Sequence, residues 1–147
     1  MKLSVNRAHL IAGLAYAALG MGLGIYMAAA QNHVQHVTHA HLLLAGFLLS
    51  VIYAIIHRLW LPDRDGWLPW LQLALHHAGV VLMVTGLFLL YNGRFSHGQL
   101  EPILAGSSIL VLLALLMMLA MVIKAGRIPA AEQFQPQSHG TGGAESV

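Results

Sequence analysis

The 147-residue sequence contains no cysteine. This excludes disulfides, thiolate zinc sites, covalent CxxCH heme attachment and iron–sulfur clusters. Any metal must therefore be held by His, Met, carboxylates or backbone. Charge is also scarce, with Lys, Arg, Asp and Glu making up only 8% of the residues. Against that background stand 10 histidines and a hydrophobic content of 58%. The mean hydropathy of +0.71 exceeds what a soluble domain ordinarily carries. The pI near 9.3 does not point to nucleic acid, because the basic residues flank apolar blocks instead of forming a patch.

The apolar residues fall in four blocks, at approximately 8–30, 37–60, 68–91 and 102–124. Each supplies the roughly 20 residues that a membrane-spanning helix requires. The sequence thus predicts an all-α membrane protein, a four-transmembrane-helix bundle over residues 1–129. The polar tail 130–147 cannot bury enough apolar area to offset chain entropy and is expected to be disordered. Six of the seven Lys and Arg fall on one predicted side: Lys2, Arg7, Arg58, Arg64, Lys124 and Arg127. Only Arg94 falls on the other, so the positive-inside rule places both termini in the cytoplasm of a bacterial inner-membrane protein. Lys2, Arg7 and Ala28-Ala29-Ala30 before Gln31 also imitate a signal peptide. The apolar stretch between them is longer than the usual signal core of about 7–15 residues, which favours a retained first span.

Chemistry concentrates at the start of the second block, where His33, His36, His39 and His41 precede LLLAGFLLSVIYAII. Imidazole ligates heme iron, copper and zinc, and an ionisable side chain at membrane depth is a functional candidate by default. At 100° per residue His39 shares a stripe with Gly46, Ser50 and His57, whereas His41 shares one with Ala45, Leu48 and Ile52. Small residues mark helix contact, and Gly20 and Gly24 of the first block form a GxxxG element. His39 is therefore expected to point inward and to be the first-choice ligand. The same logic turns His76 inward with Gly79 and Met83, and His77 outward with Val81, Val84 and Phe88. His9 and His57, beside Arg7 and Arg58, are expected to play ordinary interfacial roles. His39 and His76 should differ in height by roughly 20 Å on straight helices, too far to share one iron. Trp60, Trp67 and Trp70 are expected to be interfacial anchors.

The segment His39-Ala-His41-Leu-Leu-Leu-Ala-Gly with the following VIYAIIHRLWLP resembles helix II of heme-copper oxidase subunit I, especially its nitric oxide reductase and cbb3-type branches. It is also similar to small stand-alone four-helix proteins with a HAHLNLLG-like motif followed by an HNLG-like one. In that resemblance, which covers about residues 8–91, His39 aligns with the low-spin heme ligand. His76-His77-Ala78-Gly79 stands at the second motif. Leu43 and His77 replace asparagines of the small family, and the later helices with most copper ligands are absent. The resemblance implies heme b binding, with His39, His76 and His41 as cofactor-site candidates. It does not imply a complete oxygen or nitric oxide reductase.

The resulting expectation is an integral membrane heme b protein for electron transfer or small-gas binding, acting as a homo-oligomer or as a subunit of a respiratory complex. An alternative is a copper- or zinc-handling protein using His33, His36, His39, His41 and His97 on the periplasmic side. A third is a non-catalytic assembly subunit that keeps the scaffold without a cofactor.

Overall fold

The computed structural model describes residues 3–61 and 66–126. Four helices in it are long and apolar enough to cross a membrane. They are α1 (Val5–Ala29), α2 (His36–Leu59), α3 (Trp67–Tyr91) and α4 (His97–Ala125). The expected boundaries agree to within a few residues except at α4. Its apolar run opens at Pro102, but the helix begins five residues earlier, where the Ser96 amide donates to Gln99 Oε1 at 2.9 Å in a capping box. The tail beyond residue 126 and the 62–65 segment lie outside the described residues.

Burial is inverted relative to a water-soluble protein. Leu14, Leu19, Ile25, Leu44 and Leu116 are exposed, while His9, Gln35, Thr38, Ser50, Gln72, His76 and Ser107 are buried. In water such an apolar surface would drive association, whereas in lipid it is the expected exterior. The protein is thus a multi-pass membrane protein. An even number of spans returns the chain to the side it started from, so His9, His57 and His76 lie toward the end carrying the termini. His39 and His97 lie toward the other.

Helices α3 and α4 pair along their length, and α1 packs mainly on α2. Without a strong hydrophobic drive between helices in lipid, close packing must hold them, and small residues supply it. A Cβ added at Gly46 would stand 2.8 Å from Tyr16 Cγ, so the Tyr16 ring of α1 rests directly on the α2 backbone. Gly79 accepts Val111 and Ser107 of α4 in the same way. Tyr53, Leu61, Met118 and Met121 close the core at the termini end.

The interior of α2 departs from α-helical geometry. Leu42–Leu48 forms a π-helical segment directly after the His39-Ala40-His41 triplet. Such widened turns are rare and occur frequently at functional sites. Neither hydropathy nor a regular 100° helical period carries a signal for one.

Candidate functional site

Two separate layers of histidine occupy the bundle. The upper layer, away from the termini, is organised by His39. Its Nδ1–H donates to the Gly20 carbonyl of α1 at 2.8 Å. Gly24 makes this approach feasible, since a Cβ there would lie 2.9 Å from His39 Cε1. The GxxxG element therefore seats an imidazole as well as a helix. Because Nδ1 carries the proton, Nε2 of the neutral ring presents a lone pair, the arrangement found when a second-shell carbonyl orients a metal-binding histidine.

Neighbouring groups lock the same turn to α3. Thr38 Oγ1 donates to Gln35 Oε1 at 2.7 Å, and Gln35 Nε2 donates to the Phe88 carbonyl at 3.2 Å. Neither residue was singled out from the sequence, although a buried Thr one position from a candidate ligand is a natural support. His41 is half-buried and spends its Nδ1–H on the Val37 carbonyl of its own helix at 2.8 Å. His33, His36 and His97 are exposed. His36 Nδ1–H donates to the His33 carbonyl, and its ring lies 6.3 Å from that of Tyr91. Among the described residues no three His, Asp or Glu side chains stand arranged to hold a metal ion, in either histidine layer.

The lower layer overturns two expectations. His9 and His57 are buried inside the bundle, not set at its interface. His77, expected to point outward, turns inward so that Tyr16 Oη lies 3.3 Å from its Nδ1. The His9 ring centroid stands 5.7 Å from His57, 5.9 Å from His76 and 5.0 Å from His77. His76 and His77 are themselves 5.0 Å apart. Around them Gln72 Oε1 accepts from His9 Nε2 at 3.0 Å, and Ser50 Oγ meets His76 Nε2 at 3.0 Å. Tyr53 packs edge-on against His76. A sequence signal was present: His9, Gly13 and Gly20 share one stripe of α1, and Ser50, Ala54 and His57 share one of α2. Proximity to Arg7 and Arg58 outweighed it.

The two layers are well separated. His39 rests on Gly20 and Gly24, while His9 lies 11 and 15 residues earlier on the same helix. At 1.5 Å per residue this is about 17–22 Å of height. A cavity of ≈ 490 Å³ near the termini, bordered by Leu10, Ala54, Arg7 and Arg58, contains none of the histidines.

Fold and burial define the class as a polytopic membrane protein with an imidazole-rich interior. No family profile, curated protein or solved structure matches this chain.

Proposed function

We propose that the chain is an integral membrane protein that binds heme b through His39, for electron transfer or small-gas binding in a bacterial inner membrane with both termini cytoplasmic. The supporting observation is the His39 ring itself, with Nδ1–H held by the Gly20 carbonyl and Nε2 left as a lone-pair donor. A heme would supply the redox or gas-binding centre, and this chain would supply one axial nitrogen and a low-dielectric surround. Among the described residues no second histidine hydrogen-bonds to His39 or packs its ring against it. His76 belongs to the lower layer, and His41 is turned toward its own helix. Ile25, Tyr26 and Leu44, near the His39 level, leave an apolar surface open to lipid. A second copy of the chain, or a respiratory-complex subunit, would cover it and could contribute the other axial ligand.

Absorbance of the purified protein tests this reading. A Soret band with a b-type pyridine hemochrome is expected in the native protein and in His41→Ala, and should be lost in His39→Ala. Copper or zinc in place of heme, dependent on His33, His36 and His97, would assign the upper histidines to metal handling. A native protein with neither would sink both readings and leave a scaffold subunit.

A further inference from the structure

The lower layer contains four buried polar atoms without a hydrogen-bond partner, His9 Nδ1, Tyr53 Oη, His76 Nδ1 and His77 Nε2, beside the side chains of His57 and Gln72, which interact with each other. Buried groups in native proteins are overwhelmingly satisfied, and leaving one unpaired costs about 1–3 kcal/mol. Lipid around the bundle gives them no relief. Four such atoms at one place call for a further partner, either ordered water or a bound ligand.

Their pattern identifies its chemistry. On three rings one nitrogen is bonded and the other is bare. His9 has Nε2 on Gln72 and Nδ1 bare, His76 has Nε2 on Ser50 and Nδ1 bare, and His77 has Nδ1 on Tyr16 and Nε2 bare. For His9 the acceptor Gln72 Oε1 fixes the proton on Nε2, so Nδ1 is a lone pair. If the Ser50 and Tyr16 oxygens accept in the same way, all three rings present lone pairs backed by an oxygen behind the opposite nitrogen. That oxygen-behind-imidazole arrangement is characteristic of metal-ligating histidines. The spacing agrees in part. With the ion about 2.0–2.1 Å from each nitrogen, two imidazoles at a tetrahedral angle have ring centres about 5 Å apart. Two sides of the triangle here, 5.0 and 5.0 Å, match that spacing, and the third, His9 to His76 at 5.9 Å, is wider and would have to close on ion binding.

We propose that His9, His76 and His77 form a three-imidazole site for one late first-row transition ion, with His57 and Tyr53 bordering its open position. The site is independent of His39 and does not rest on heme binding. The rings as they stand do not yet frame an ion. Closing them needs a limited rotation about χ2, a soft torsion in histidine, with the rotatable Gln72 amide and Ser50 hydroxyl turning along with the nitrogens they hold. Hard cations such as magnesium or calcium are excluded by the all-nitrogen donor set.

Cobalt(II) is the probe, added to the full-length protein in detergent, without a histidine tag and after chelator treatment. The expected result is one cobalt per chain, with the strong visible absorption of a four-coordinate ion, displaced by zinc. His77→Ala and His9→Ala should each weaken cobalt binding by about 100-fold or more, and Ser50→Ala, which removes only the oxygen behind His76, by about 10–100-fold. His39→Ala should leave it unchanged. Circular dichroism and gel filtration identify any variant that fails to fold, and the mild Ser50→Ala change keeps the test decisive if His9→Ala does. Absence of bound cobalt or zinc in the native protein, a pale six-coordinate spectrum, or equal affinity in His77→Ala and Ser50→Ala would overturn the proposal. Loss of cobalt in His39→Ala alone would do the same.

Discussion

Two glycines on α1, two residues apart, offer a sharp test of the upper layer. A Cβ at Gly24 would lie 2.9 Å from His39 Cε1 and 3.4 Å from Nδ1, whereas one at Gly22 meets nothing within 4 Å. Comfortable carbon contact is about 3.5–4.0 Å, so Gly24→Ala must push the imidazole away by roughly 0.6–1 Å. Added to the 2.8 Å bond from Nδ1 to the Gly20 carbonyl, that displacement stretches it to or beyond the limit of a useful hydrogen bond. Because the atoms met belong to the ring tip of one side chain that swings aside, the cost is the lost bond, about 0.5–1.5 kcal/mol, plus overpacking at the lower end of about 1–3 kcal/mol. Both substitutions gain helix propensity of about 1 kcal/mol, so that contribution cancels in the comparison. Gly24→Ala should therefore be about 1–3 kcal/mol less stable than Gly22→Ala. Reversible unfolding of the two variants in mixed detergent–SDS micelles measures the difference. If His39 holds heme, Gly24→Ala should also lower heme content while Gly22→Ala does not. Equal stability would show that the His39 ring does not rest on α1 as described, and the lone-pair argument for Nε2 would fall with it.

Other outcomes follow from the same geometry. Gln35→Ala removes the link from Thr38 to the Phe88 carbonyl and leaves a buried hydroxyl behind, so it should destabilise the protein by about 1–3 kcal/mol in the same unfolding assay. His76→Ala should leave any His39-dependent heme spectrum largely intact, because about 17–22 Å of helix separates the layers. A folded His76→Ala protein that had lost the signal would mean the layers are one site. A reporter fused after Lys124 should be active in the cytoplasm and one inserted within residues 92–98 in the periplasm. The reverse pattern would refute the orientation drawn from the Lys and Arg distribution.

What the sequence disclosed divides along physical lines. Four spans were legible because each apolar run is long enough to cross lipid and charge is confined to its ends. The inward turn of His39 was legible through Gly46 and Ser50 on its stripe, and the close approach of α1 through Gly20 and Gly24, since small residues at helical spacing mark close approach. The capping box at Ser96 was overlooked because the first turn of α4, His97-Gly98-Gln99-Leu100, is too polar to register as membrane. The π segment Leu42–Leu48 has no compositional mark, being written in the same leucines as its neighbours.

The lower histidines show where reading by neighbour fails. His9 and His57 stand beside arginines, and that adjacency made them look interfacial. In a helix, though, consecutive residues point about 100° apart, so Arg7 or Arg58 says little about the direction of a histidine one or two positions away. The residues three, four and seven away carry that information: Gly13 for His9, and Ser50 and Ala54 for His57, all buried. Direction alone still could not reveal the cluster. His9, His57, His76 and His77 come from three helices, and only their shared depth brings the rings within 6 Å. Depth can be counted from the span ends at 1.5 Å per residue, which places His57, His9 and His76 about 3, 6 and 14 Å from the same face, all in one half of the bilayer. In a membrane bundle, the direction of a polar residue and its depth, taken together, locate a buried site, and here both were already present in the sequence.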